Sequence, residues 1–303
     1  MVHPTLVVVR SWREAWEDAL FGPSGFFQRE APLDHFRTNA AVPLFAQAVR
    51  RLAGLVDEAL GRPDPFDLVD LGAGRGELLA GLVDVPARWR LTAVEVGALD
   101  RPGIRWAAEP PDGMTGLLLA NEWLDTVPLD VVEDGRLVLV DHTGAEQPGA
   151  PFASDWASRW WPAGSRVEVG AARDLAWAWA VSHLRRGLAV AVDYGHTAAD
   201  RRATLTGYRG GRQVPPVPDG SCDITAHVAL DAVAAATDSA LVDQREALAA
   251  LGVSASLPDP SDAAYAASLA RASQARELLD PAGLGGFGWL LKAVDVEVGW
   301  MGV

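Results

Sequence analysis

The sequence predicts an α/β fold: an open, doubly wound, Rossmann-like sheet with an N-terminal helical extension and inserted hairpin or loop segments. Three observations carry that expectation. A short apolar run, Asp67–Leu71, leads straight into a glycine-rich turn and then a helical stretch, Leu78–Val83. Further apolar runs alternate with helical segments, the pattern of a parallel sheet covered on both faces. Leu129–Glu133 and Arg136–Val140 flank Asp134–Gly135, a hairpin signal that belongs outside a parallel sheet.

The elements follow in chain order. Ser11 and Glu14 have capping-box spacing and start a short helix through Leu20. Gly22–Gly25 breaks the chain. Thr38 to about Leu60 reads as helix, because Leu44, Phe45, Ala48, Leu52, Leu55 and Leu60 recur every three to four residues. Gly61–Arg62–Pro63 ends it. Strands are expected at Asp67–Leu71, Leu91–Glu95, Gly103–Ala107 and Gly116–Ala120. The hairpin comes next, followed by a helix at Ala171–Leu184 and a buried strand at Gly187–Asp193. Asp200–Asp223, rich in Gly, Pro and Arg, reads as a long ordered loop. Helix is expected at Thr225–Ala236, strand at Ala240–Asp243 and helix at Gln244–Leu251. A longer helix at Asp262–Leu279 and a last apolar strand at Phe287–Val294 complete the pattern. The expected domains are a helical extension or lid over residues 1–60 and a ligand-binding domain over 61–303, with insertions at about 126–170 and 196–225.

Composition narrows the function. A chain of 303 residues buries a core without disulfide or structural metal, and its single cysteine, Cys222, permits no internal bridge. The net charge of −14 repels a polyanion, so no nucleic-acid partner is expected. Of the 26 basic residues only Lys292 is lysine, a compositional bias. The apolar runs are too short to span a bilayer and the N-terminus lacks a signal-peptide pattern, so a soluble, cytoplasmic protein is expected. The six histidines show no metal-ligand spacing, and no metal is expected. Neither a P-loop nor a G-x-S-x-G nucleophile motif is present.

The informative motif is Asp70–Leu71–Gly72–Ala73–Gly74–Arg75–Gly76–Glu77. A chain turning sharply from strand to helix needs the dihedral freedom of glycine, and bare backbone lets a ligand lie against it. Glu77 stands where the dinucleotide pattern G-x-G-x-x-G needs its third glycine, so that reading and a nucleotide-dependent oxidoreductase are disfavoured. Acidic-x-G-x-G-x-G is the form seen in S-adenosylmethionine methyltransferases, whose ligand carries a sulfonium cation that suits Asp70. The expected cofactor site therefore includes Asp70, Gly72, Ala73, Gly74 and Gly76. Glu95 ends the second strand, 19 residues after Gly76, where an acid can accept from both ribose hydroxyls. The fourth strand runs into Asn121–Glu122–Trp123–Leu124–Asp125, and a later one into Asp193–Tyr194–Gly195, so both ends should border the ligand crevice. On a helical turn Glu122 and Asp125 would share one face. Asp223 reads as a helix cap and His227 as a structural histidine. Trp156, Trp160, Trp161, Trp177 and Trp179 read mainly as core, or as an acceptor groove.

Taken together, these residues resemble the MidA-like S-adenosylmethionine-dependent methyltransferases, relatives of the mitochondrial arginine methyltransferase that takes part in assembling respiratory complex I. The resemblance runs from about Phe21 to Val253. Gly22–Phe27 is similar to the family's Gly-aromatic-aromatic start and Phe36–Arg37–Thr38 to its Phe-Ile-Thr. Asn121–Asp125 with Pro128 is similar to Asn-Glu-Phe-Phe-Asp-x-x-Pro, and Asp223–Val228 to Asp-Leu-Thr-x-His-Val. The chain departs from the family at Asp34–His35, at Asn39–Ala40–Ala41 and at Leu124. The resemblance implies a class I methyltransferase sheet, S-adenosylmethionine as cofactor and a protein arginine as acceptor. It adds Thr38 and Asn121 to the cofactor-binding set. Glu122, Asp125 and Asp193 are the catalytic candidates: carboxylates can hold and orient a guanidinium that stays protonated, with a pKa above ~12. The alternatives are a small-molecule methyltransferase and a non-catalytic assembly factor that keeps the fold.

Overall fold

The computed structural model describes residues 8–30, 37–82, 84–96, 101–259, 261 and 263–303. The sequence readings at Asp34–His35 and Phe36 lie outside the described residues. The chain forms two compact units: Arg37–Leu124 with Trp177–Gly195 and Ala234–Val303, and Met1–Phe36 with Asp125–Ala176 and His196–Val233.

The first of these holds a seven-stranded sheet. Its strands are β1 (Phe66–Leu71), β2 (Trp89–Val94), β3 (Arg105–Ala107), β4 (Met114–Asn121), β5 (Leu184–Asp193), β6 (Ala240–Asp243) and β7 (Gly288–Val294). Their order is β6-β7-β5-β4-β1-β2-β3. Strands β1 to β5 pair with one another in parallel. Every residue of β1 and β4 is buried, as expected of parallel strands covered on both faces. From β1 the chain steps outward to β2 and β3, then returns to the other side of β1 as β4. The strand order therefore reverses between β1 and β4, and the carboxyl ends of these strands mark where open α/β sheets bind their ligands. The expected all-parallel sheet needs one correction. β7 runs antiparallel to both β5 and β6. A buried apolar run carries no signal of strand direction, so the pattern could not show this.

Helices α1 (Pro43–Ala59), α2 (Glu77–Ala80), α3 (Gln244–Ala250) and α4 (Tyr265–Leu279) accompany the sheet. Phe45, Val49, Leu52 and Val56 of α1 share a core with Phe66, Leu68, Leu117 and Leu119 of the sheet. Burying each such side chain contributes roughly 1.5–3 kcal/mol. α1 starts five residues later than its periodicity suggests. Pro43 disfavours helical dihedrals at Val42, which is extended (φ −96°, ψ 112°), and itself occupies the first turn. Thr38 is also extended and caps a short 3-10 turn, Asn39–Ala41. The helix expected at Leu78–Val83 is one turn only, α2.

In the other unit the capping box predicted at Ser11 forms: Glu14 N donates to Ser11 Oγ at 3.3 Å and Ser11 N to Glu14 Oε2 at 3.2 Å. The hairpin forms as Asp130–Glu133 paired with Arg136–Val140. Arg10–Ser11, Glu146–Pro151 and Arg166–Val169 extend it to five strands. The segment expected to be a loop contains strands Thr206–Arg209 and Arg212–Val214. Gly210 and Gly211 turn between them with φ of +56° and +75°, the dihedral signs of a tight hairpin turn. Asp223–Thr225 adds a third strand. The following helix therefore begins at Leu230 and not Thr225, and Asp223 is a buried strand residue, not a cap. No helix among the described residues is long and apolar enough to cross a membrane.

Candidate functional site

The glycine-rich turn sits at the carboxyl end of β1. Gly72 N and Ala73 N donate to Val94 O at 2.9 and 3.2 Å, which folds the turn against the end of β2. Gly72, Gly74 and Gly76 have φ of +73°, +56° and +77°, where a side chain costs about 1–2 kcal/mol. Space adds a second reason. A Cβ on Gly72 would lie 2.7 Å from Trp123 Cδ1, and one on Gly76 3.2 Å from the Trp106 ring. Glu95 closes the turn from β2: its Oε2 accepts from Gly74 N at 2.9 Å and its Oε1 from Val96 N at 2.8 Å.

Electrostatically this corner is acidic. Asp70 is 3% exposed. Burial, then Glu77 and Glu95, push its carboxyl up to about 8. Burial also raises Glu95, against the opposing pull of the Val96 and Gly74 amides. Such a corner is relieved by a cation.

Asn121 lies one residue past Ala120, which pairs with Leu71, so it ends β4 alongside the start of the turn. Its Nδ2 donates to Glu122 Oε1 at 3.0 Å. Glu122 has φ of +52°, uncommon for a residue with a side chain, and its N donates to Val192 O at 2.8 Å. The same Oε1 accepts from Asn39 N at 2.9 Å, tying the segment after Thr38 to the end of β4. Asn39 is held in turn by the fully buried Gln244, whose Nε2 donates to Asn39 Oδ1 at 3.0 Å and to Leu284 O at 2.7 Å. Gln244 Oε1 accepts from Trp289 Nε1 at 3.0 Å. Asp193 is 1% exposed, and its two oxygens accept from Leu124 N at 2.9 Å and Tyr194 N at 3.0 Å. Its carboxylate sets the course of the chain leaving β4. Within this cluster Thr38 Oγ1 and Asn121 Oδ1 are buried and have no hydrogen-bond partner. Trp106 Nε1, beside Gly76, is in the same condition.

The structure thus gathers Thr38, Asp70, the glycine turn, Glu95, Asn121, Glu122 and Asp193 in one unit. Asp125 belongs to the other. It is the middle residue of a 3-10 turn, Leu124–Thr126, that Glu122 precedes in a left-handed conformation. The two acids therefore do not share a helix face, which corrects the expectation from their spacing. Asp125 Oδ2 accepts from Thr225 Oγ1 at 2.8 Å. Burial, then Asp125, raises Asp223 well above the usual carboxylate range. Beneath them Arg173, 1% exposed, donates to Asp125 O, Ala226 O and His227 O at 2.6–2.9 Å. The tryptophans divide between the two units. Trp177 is fully buried, Trp156 donates to Asp174 Oδ2 at 2.8 Å, and Trp179, 39% exposed, packs 6.4 Å from Trp123. Asn39, Gln244 and Arg173 escape sequence reading, because a polar residue that organises buried carbonyls has no periodic signature.

Residues 90–245 match a family model described as "Putative S-adenosyl-L-methionine-dependent methyltransferase". The match includes Glu95, Asn121, Glu122, Asp125 and Asp193. No curated protein matches the chain. Two solved structures from Burkholderia thailandensis are similar to it. One, bound to S-adenosyl-homocysteine, has a TM-score of 0.76 and 23% identity, over 95% of this chain and 89% of that one. The other, an uncharacterised protein in native form, has a TM-score of 0.75 and 25% identity, over 95% and 88%.

Proposed function

This chain belongs to the S-adenosyl-L-methionine-dependent methyltransferase family, and from that premise we propose that it methylates a guanidino nitrogen of a protein arginine, as a MidA-like member. S-adenosylmethionine, when bound, supplies an electrophilic methyl group. The residues at the ends of β1, β2 and β4 suit such a ligand. Thr38 Oγ1 and Asn121 Oδ1 are buried polar atoms without partners, and such atoms are costly unless something satisfies them. Asp70, held largely protonated by burial and by Glu77 and Glu95, gains from a cationic group. At Gly74 a Cβ would meet only Glu77 Oε2, at 3.4 Å, so the main chain there admits close approach, and Glu95 is positioned beside it for hydroxyl groups. These residues hold the ligand.

The acceptor reading is carried by one observation. Glu122 keeps a left-handed backbone at the end of β4 while Asn39 and Asn121 fix its Oε1. Such a conformation costs of order 1–3 kcal/mol and persists where a side chain must be aimed. A carboxylate so fixed can orient a guanidinium, which carries its charge at all working pH values and sheds a proton only as the new N–C bond forms. Asp193 assists by holding the Leu124 amide, and Asp125 is the second acidic candidate.

Glu122→Gln tests the assignment. S-adenosylmethionine affinity by calorimetry should stay within about twofold, while methylarginine formation falls roughly 100-fold, the scale of a lost positioned acid or base. Full turnover with unchanged cofactor affinity would remove Glu122 from this role. Mass spectrometry of the proteome from a deletion strain should show a methylarginine that returns on complementation. A lost methyl group on a metabolite instead would overturn the protein acceptor.

A further inference from the structure

Away from the glycine turn, a cleft of about 910 Å³ runs beside α1. Leu44, Gln47, Arg51, Gly54 and Glu58 line it at intervals of three and four residues, so one helix flank forms its length. From Leu44 to Glu58 that flank extends roughly 21 Å at ~1.5 Å per residue. Trp89, Leu251 and Val253, all buried, close its floor with apolar atoms.

The charge of this cleft opposes that of the chain. Five arginines line it against two acids, in a protein of net charge −14. Arg88 is neutralised by a two-pronged pair with Asp57, at 2.7 and 2.6 Å, and Arg62 lies 3.3 Å from Glu58. The hydrogen bonds of the other three end on uncharged oxygens: Arg50 on Asp84 O, Arg51 on Leu251 O and Arg271 on Gln47 Oε1. The cleft therefore carries an unneutralised positive stripe along an apolar floor.

Gly54 is the second observation. A glycine in a helix interior is destabilising relative to alanine, so it needs a reason. Neighbouring packing supplies none: a Cβ at Gly54 would meet no atom within 4 Å, and φ is helical. The missing side chain leaves the floor of the cleft bare at its middle.

We infer that this cleft is a docking groove for an extended acidic segment, with interspersed apolar side chains, from a partner protein. At about 3.3 Å per residue the groove takes some six residues of extended chain. Its charges are strung along a helix flank and do not converge on one point, which suits a polypeptide better than a compact anion. Nucleic acid carries a charge about every 1.7 Å of duplex and would meet far more of the whole molecule's repulsion than a short segment with a few carboxylates. The inference is independent of the methyl-transfer reading.

Fluorescence anisotropy on the full chain tests it. The probe is a labelled octapeptide of alternating Glu and Leu, with Gln-Leu octapeptide as control. The acidic probe should bind at least tenfold tighter than the control, and 0.5 M salt should erase most of the difference. Gly54→Leu, pointing into open space, should leave thermal stability undiminished and weaken the probe at least tenfold. Gly54→Ala should weaken it much less. Arg50→Glu combined with Arg271→Glu, both exposed, should reverse the preference and carries the test should Gly54→Leu perturb the fold. Equal binding of both peptides, indifference to these variants, or displacement of the probe by millimolar phosphate or by single-stranded DNA at lower concentration would overturn the inference.

Discussion

Asp70 gives the molecule a pH dependence of known sign. Burial and two neighbouring acids hold its folded pKa at about 8, against an ordinary value near 3.8. The folded form thus binds a proton that the unfolded chain has released. Asp70 opposes folding increasingly as pH rises from about 4 to about 8, and the penalty is complete above that. Asp70→Asn removes the charge at nearly constant shape. Its Tm should exceed that of the parent by a margin that grows across this window, reaching at least ~1 kcal/mol, or roughly 2–4 °C. Calorimetric melts from pH 5 to 9 check this; parallel melting curves would contradict it. A cationic ligand favours the ionised carboxyl, so S-adenosylmethionine should bind more tightly as pH rises from 6 to 8 and release a proton on binding at pH 7. A flat profile would separate Asp70 from the ligand. The site's acids were legible in the sequence because strand ends and glycine spacing locate them. The support beneath them was not. Gln244, Asn39 and Arg173 act through carbonyls and amides far away in the chain, and only tertiary structure reveals such partners.

Among elements, β1, β4 and β5 were readable from the apolar runs Leu68–Val69, Leu117–Ala120 and Leu188–Val192, all of them buried. The region 200–229 was not, because its strands are two to four residues long and its glycines signal loop and hairpin alike. Strands β4 and β5 also contain a constraint that apolarity hides. Asp67, Gly116 and Gly187 lie side by side in register, with φ of +152° and +136° at the two glycines. A Cβ at Gly116 would collide with Asp67 O, and one at Gly187 with Gly116 O. Gly116→Ala must push apart two strands at the centre of the sheet. It should cost at least ~3 kcal/mol, in the range of severe backbone strain, and lower the denaturation midpoint accordingly. An unchanged midpoint would mean that the sheet accommodates the methyl by shifting.

At the scale of the molecule, charge governs encounter. A protein of net charge −14 attracts a basic acceptor from a distance, and salt screens that attraction over about 10 Å at 0.1 M. For a basic arginine peptide, kcat/KM should fall several-fold between 0.05 and 0.5 M salt while kcat holds. A kcat that falls in step with kcat/KM would locate the salt effect in the bound complex.

The antiparallel strand has a consequence of its own. β7 is built from residues 288–294 yet fills the gap between strands drawn from 184–193 and 240–243. While a ribosome is still translating the stretch between them, both of those earlier strands have an unfilled rim, hydrogen-bonding groups included. Bare rims invite adhesion to other chains, so the interval before the keystone arrives is when this protein most needs a chaperone.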